Sequence, residues 1–403
     1  MTENKVSRQG KLMRQAIAAL TRENLIGQKF KNGEIRKKIV EPVGHWKCPD
    51  CFTNTVVELP NCQAEFLEFE VPNHDKVILQ LHGGGYIGGM RHAYRSFAGL
   101  YNEVGKRYSV FTPDYRVAPE HVFPAALIDA LDAYEWLLKN GYTEEQIIVA
   151  GDSAGGGLAL ALCLCLKDNG RKLPCGIVAM SPWTDMTASG PSYQENFEKD
   201  PLFGGTEDSM IYNREYSAGA DVTNPYLSPV FGDYEGFPPM LIQVGSYEML
   251  LSDSVMLAQK AKEAGVKVRL SIYEGMFHVF QMAPLTMPEC KRAWVEIGHF
   301  IDEIDGGYAR DKQEGQEPAD EPDGGHVRGK SEDQQPGGDM DAVHVKEKSG
   351  EQENAGQQKE TYGSYGTQVR QEDEEQAGWE CVQKDDEGLE KKADREGAGH
   401  EHE

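Results

Sequence analysis

Gln146-Ile147-Ile148-Val149-Ala150 runs into Gly151-Asp152-Ser153-Ala154-Gly155-Gly156-Gly157, and the apolar stretch LALALCLCL (158–166) follows. The first run is apolar at nearly every position, as a strand covered on both faces should be. The last stretch is long enough for a helix. Between them a serine stands at the corner, flanked by glycines. Gly151 and Gly155 have no Cβ to collide with neighbouring backbone, so a tight turn can hold Ser153 with its hydroxyl projecting above the sheet. The beginning of the following helix adds free N–H groups and a partial positive charge beside that hydroxyl. A G-x-S-x-G pattern alone occurs often by chance; the strand before it and the helix after it are what give it meaning. A plain Gly-rich turn and a phosphate-binding loop are the other readings, and this strand end carries neither GK[ST] nor G-x-G-x-x-G.

Outward from this corner, residues 60 to 305 alternate short apolar runs with helical patterns. The runs are AEFLEFE, KVILQLH, YSVFTP, QIIVAG, CGIVAMS, MLIQVG and VKVRLSIYE, and helix-like stretches fall near 124–140, 154–168, 253–265 and 287–304. Strands flanked by helices predict an α/β fold with a mainly parallel central sheet and helices on both faces. In such sheets the chemistry collects in loops at the carboxyl ends of the strands. Two segments interrupt the alternation. Residues 1 to about 28 predict a helix with Met13, Ile17 and Leu20 on one face. Residues 186–225 mix aromatic and polar side chains. Together they are expected to form a helical lid over the carboxyl-end loops; packing of the first helix on the sheet's flank is the alternative. No internal repeat is visible.

Composition splits the chain of 403 residues near position 310. Residues 311–403 hold 27 acids against 11 bases, a balance of −16 that leaves −9 of the total −25 for the first 310 residues. The same stretch has five Val, one Leu, and no Ile or Phe, too little apolar surface to offset the entropy of ordering it. The expected organisation is therefore one large α/β domain over 1–310, although length alone would also fit two smaller ones, with 1–45 and 186–225 contributing to the lid, and a disordered acidic tail over 311–403. No run approaches the roughly 18 to 20 apolar residues that span a bilayer. The amino-terminal stretch has no apolar block beside a cleavage-type site, which predicts a soluble, cytoplasmic protein. The acidic balance disfavours nucleic acid as a partner, since phosphate binding draws on clustered Lys and Arg. Of the eight cysteines, Cys163, Cys165, Cys175 and Cys290 read as small core residues. Cys48 and Cys51 form a CPDC pair with Cys62 eleven positions on; a zinc or redox site would need a further ligand, for which His45 is the near candidate. Reduced thiols in a surface segment are the expectation.

A second chemical signal lies upstream, where KVILQL leads into His82-Gly83-Gly84-Gly85-Tyr86. Consecutive glycines at a strand end let backbone N–H groups approach a ligand oxygen, and with the N–H of Ala154 they would form an oxyanion hole. A serine needs a base, and the base an oriented acid. His278, in YEGMFHVF, follows the last predicted strand at the correct end of the sheet. The acid is sought after MLIQVG: Glu248 lies in the loop just beyond the strand, whereas Asp253 precedes a helical run and is expected to cap it. Glu248 is the preferred acid and Asp253 the alternative.

These motifs, with DYRVAPEHVFPAAL (114–127), SPWTDMT (181–187), NPYLSPVFGD (224–233) and VGSYEMLLSDS (244–254), resemble the hormone-sensitive-lipase-like branch of α/β hydrolase esterases over most of residues 60–304. The later blocks look most like acetyl esterase and lactone hydrolase members. The resemblance implies Ser153 as nucleophile, His278 as base, Glu248 as acid, and Gly84, Gly85 and Ala154 around the oxyanion with Gly83 supporting the turn. It implies an acyl-enzyme esterase that requires no metal or organic cofactor, a small ester as substrate, and is compatible with a homodimer. Many members have Asp where this chain has Glu248, and the acidic tail has no counterpart in the family pattern. Rival expectations are a lactone or amide hydrolase on the same machinery, and a non-catalytic small-ligand receptor on an esterase scaffold.

Overall fold

Eight strands form one sheet in the order β1-β2-β4-β3-β5-β6-β7-β8. The computed structural model describes residues 6–23, 47–207, 209–212 and 214–314. The strands are β1 Phe52–Glu58, β2 Gln63–Phe69, β3 Asn73–Leu81, β4 Tyr108–Pro113, β5 Ile147–Asp152, β6 Gly176–Met180, β7 Met240–Gly245 and β8 Val268–Tyr273. From β4 to β8 every pairing is parallel, while β1–β2 and β2–β4 are antiparallel. The mainly parallel sheet is thus as the apolar runs predict, with β1 added. FTNTVVE gives no apolar run because this edge strand leaves most of its side chains half-buried or exposed.

The helices are α1 Arg8–Glu23, α2 His92–Val104, α3 Ala125–Lys139, α4 Ala154–Asp168, the short α5 Ser192–Glu195, α6 Leu251–Glu263 and α7 Pro288–Glu314. Adjacent residues of one strand enter different cores. Val77, Leu79 and Leu81 pack with α3 and α4, whereas Ile78 joins Phe97 and Tyr101 of α2 and Trp294 and Ile297 of α7. A further cluster seats α6 and the outer flank of α4 on β6 and β7. Each such side chain, fully buried, contributes about 1.5–3 kcal/mol, and this two-sided burial explains the unbroken apolar runs. Helix α2 is absent from the predicted stretches. Its buried stripe of Tyr94, Phe97, Ala98 and Tyr101 follows helical spacing, but it is made mostly of aromatics.

The ladder continues past the strand ends. The residues that follow β5, β6 and β7 are all serines: Ser153 N–H donates to Met180 O at 2.9 Å, Ser181 N–H to Gln243 O at 2.7 Å and Ser246 N–H to Tyr273 O at 3.0 Å. Each carboxyl-end loop therefore starts from a point fixed by the neighbouring strand.

Helix α1 lies against those loops. Arg14 donates to Gly275 O at 2.8 Å, with its guanidinium carbon 4.2 Å from the centre of the Tyr247 ring, and the Thr21 hydroxyl donates to Pro201 O at 2.5 Å. Ser7 ties the helix entry to Glu289 through its N–H and hydroxyl. Met13 and Ile17 meet the core as expected, but Leu20 is 62% exposed and does not belong to the buried stripe. The expected lid segment 24–45 and the expected tail from residue 315 lie outside the described residues. Helix α7 runs to Glu314, ten residues beyond the predicted end and past the compositional break at 310. No helix among the described residues is long and apolar enough to cross a membrane.

Candidate active site

The corner after β5 is set by close backbone packing. A Cβ on Gly151 would stand 2.3 Å from Gly155 O, and one on Gly155 would stand 2.1 Å from Leu81 O. Only glycine fits at either position. Ser153 adopts φ 53° and ψ −123°, a conformation that costs a non-glycine residue roughly 1–3 kcal/mol. Its N–H bond to Met180, and bonds from Trp183 N–H and Gly157 N–H to its carbonyl, over-determine that geometry.

Ser153 Oγ lies 2.9 Å from His278 Nε2, and His278 Nδ1 lies 2.9 Å from Glu248 Oε2. This network assigns the proton on Nδ1 toward the carboxylate, leaving Nε2 to accept from the serine. Glu248 is fully buried, and its Oε1 accepts from Gly245 N–H and, at 2.7 Å, from the Ser181 hydroxyl. Ser181 in turn accepts from Val279 N–H at 3.1 Å. One hydroxyl thus links the carboxylate to the backbone beside His278. No role was expected for Ser181; its position directly after the CGIVAM strand was the available signal.

Asp253 is placed elsewhere. Helix α6 begins at Leu251, so Asp253 sits inside its first turn and does not cap it. Its Oδ2 accepts from Thr184 N–H at 2.8 Å and Asp185 N–H at 2.9 Å, which fixes the loop after β6. Burial pushes its pKa well above the usual carboxylate range. Two backbone donors in the buried neighbouring loop, otherwise unpaired, draw the carboxylate away from the helix start.

The glycine turn divides its donors. Gly83 N–H donates to Asp152 Oδ1 at 3.1 Å, which removes Gly83 from the candidate oxyanion donors and leaves it the supporting role. Gly84 and Gly85 both have positive φ, at 129° and 64°. Among the described residues no acceptor takes the N–H groups of Gly84, Gly85 or Ala154. Burial pushes the Asp152 carboxyl up to about 7, opposed by nearby His278, the Gly83 N–H and Arg91. His82 stacks on Tyr115 at 4.0 Å, its Nδ1 2.8 Å from Gly83 O, and burial lowers its pKa.

The 186–225 segment supplies the aromatic surroundings. The Phe203 ring centre lies 4.6 Å from that of His278, and Tyr216 stacks on Tyr86 at 4.2 Å. Met210 rests against Gly85, where a Cβ would stand 2.6 Å from its sulfur. A cavity of about 570 Å³ opens beside Tyr193, Phe197 and Tyr212. The cysteine cluster shows no comparable preparation. Burial raises Cys48 and pushes Cys62 up to about 12, which disfavours the thiolate that zinc binding or redox exchange needs. The fourth candidate ligand, His45, lies outside the described residues.

A doubly covered parallel sheet with a buried serine, imidazole and carboxylate in line at its carboxyl edge defines an α/β hydrolase. The family model of the alpha/beta hydrolase fold matches residues 78–282, and the chain belongs to that family. An acetyl-hydrolase of Streptomyces hygroscopicus is 35% identical over 277 residues, 67% of this chain and 91% of that protein. An esterase of Acinetobacter venetianus is 36% identical, over 57% of this chain and 76% of the relative. Among solved structures, an esterase of the bacterial hormone-sensitive lipase family is 34% identical with a TM-score of 0.60, covering 68% of this chain and 96% of the other. The chain is thus a hormone-sensitive-lipase-like α/β hydrolase, and its activity class is the hydrolysis of ester bonds.

Proposed function

We propose that this esterase is a serine carboxylesterase for short-acyl esters, working through an acyl-enzyme formed on Ser153. The single observation that carries the reading is the continuous hydrogen-bonded line from Ser153 through His278 to Glu248, both steps at 2.9 Å. In the first half-reaction His278 Nε2 takes the serine proton as Oγ bonds to the ester carbonyl carbon. The carbonyl oxygen becomes an oxyanion, met by the N–H groups of Gly84, Gly85 and Ala154; one such donor is worth roughly 3–4 kcal/mol. The tetrahedral intermediate collapses by breaking the bond to the alkoxy oxygen, which receives the proton from His278. Water then repeats the sequence, its proton going to His278 and its oxygen to the acyl carbon, and Ser153 is released with the carboxylic acid. Glu248 holds the imidazole in the tautomer that leaves Nε2 free and offsets its charge when protonated. In this reading α1 and the 186–225 segment serve as the lid, and Phe203 and Met210 wall the acyl side of the site. The bulk of those two residues supports short acyl groups.

The test compares wild type with Ser153→Ala on p-nitrophenyl esters from acetate to decanoate, together with labelling by a fluorophosphonate. Wild type is expected to favour the short chains and to be labelled, while Ser153→Ala loses at least about 10⁴-fold in kcat and all labelling. Equal turnover by the two proteins would refute the assignment of the nucleophile. A preference for the decanoate would refute the short-acyl reading alone.

A further inference from the structure

In the loop that carries Glu248, between β7 and α6, the N–H groups of Ser246, Tyr247 and Glu248 bond the carbonyls of Tyr273, Met276 and Gly245, and side chains complete the rest. Four of its backbone groups, and the Ser252 N–H in the first turn of α6, are met by side chains of the 186–225 segment. Asn196 Nδ2 donates to Ser246 O at 3.1 Å and to Glu248 O at 2.8 Å. Asp200 Oδ2 accepts from Met249 N–H at 2.8 Å. The Ser192 hydroxyl donates to Met249 O at 2.6 Å and accepts from Ser252 N–H at 2.8 Å. The other oxygen of Asp200 accepts from Leu202 and Phe203 N–H groups at 2.8 and 3.0 Å, which seats Phe203 against His278. Asp200 is 1% exposed and Asn196 4%. Each would be expensive to bury without those partners. Ser192, Asn196 and Asp200 recur every four residues, so the short α5 and the turn after it present all three to one loop.

We infer that Asn196 and Asp200 are positioning residues for Glu248: the inserted segment holds the loop so that the carboxylate meets His278. The inference rests on the reading of Glu248 as the triad acid. A displacement of the acid by a fraction of an ångström to one ångström is enough to weaken its hold on the imidazole. Neither residue hydrogen-bonds His278 in this role: Asn196 acts through the Glu248 carbonyl and Asp200 through the adjacent Met249 N–H, apart from its separate seat for Phe203.

A double-mutant cycle on the full chain tests it. Glu248→Ala is expected to lower kcat by roughly 10³–10⁴-fold. Asp200→Ala is expected to lower kcat by roughly 10–100-fold with KM within about threefold, because the carboxylate no longer sits squarely against the imidazole. In the Glu248→Ala background, Asp200→Ala should cost less than about twofold more, since nothing remains to be positioned. A loss that multiplies in that background, or a change in KM alone, would overturn the inference. Circular dichroism and melting check the fold, and Asn196→Ala runs the same cycle should Asp200→Ala fail to fold. If neither variant folds, the two residues are structural and the inference is wrong. Full activity of Glu248→Ala would instead sink the triad reading from which it starts.

Discussion

The corner that holds Ser153 and the loop that holds Glu248 lie side by side at one edge of the sheet, yet they are built in opposite ways. The corner carries its own instructions: Gly151, Ser153 and Gly155 fall within five residues, and a Cβ on either glycine would stand little more than 2 Å from a backbone oxygen. The Glu248 loop takes side-chain hydrogen bonds from Asn196 and Asp200, about fifty residues earlier in the chain. Short-range determinants make a rigid element that is readable as a motif. Long-range determinants tie the acid to whatever the inserted segment does.

Three experiments would break or sharpen that contrast. The largest effect is expected from Gly155→Ala, where the new methyl would overlap Leu81 O. The cost should exceed about 3 kcal/mol, lowering the melting temperature by roughly 10 °C and activity with it. Melting within about 2 °C of wild type would show that the corner tolerates rearrangement. Next comes the pair Glu248→Ala and Asp253→Ala: the first should lose roughly 10³–10⁴-fold in kcat while keeping its fold, the second less than about tenfold in kcat while losing stability. The reverse order would exchange their roles and remove the acid-loop half of the comparison.

The smallest effect concerns Asp152, which joins the corner to the glycine turn. Its folded pKa of about 7 lies above the ordinary carboxylate value. Between about pH 4 and 7 the unfolded chain has given up this proton while the folded protein keeps it, so raising the pH through that window stabilises the unfolded state. This contribution is lost as pH rises through that window, and the loss is complete above about neutrality. Asp152→Asn keeps an acceptor for Gly83 N–H without titrating. Its melting temperature should fall less than that of wild type between pH 5 and 8. Parallel curves for the two proteins would show that Asp152 stays ionised throughout.

The same contrast explains what the amino-acid sequence reveals. Ser153, the glycine turn and His278 could be located because each announces itself within a few residues of a strand end. Strand β1 and helix α2 could not, since an edge strand need not be apolar and aromatics at helical spacing resemble scattered core residues. Ser181 opens the SPWTDMT motif, but only its contacts with Glu248 and Val279 reveal what it does. Asp253 looked like a helix cap because its buried partners at 184 and 185 are invisible locally. Asn196 and Asp200 were unmarked for the same reason.

The three serines that extend the ladder beyond β5, β6 and β7 give the sheet a metrological function. A slip of one residue between neighbouring strands would carry a site group about 3.3 Å along the strand direction, several times the tolerance of a reacting pair. Turnover thus gauges interstrand alignment more finely than circular dichroism, which counts strand content and is blind to an offset.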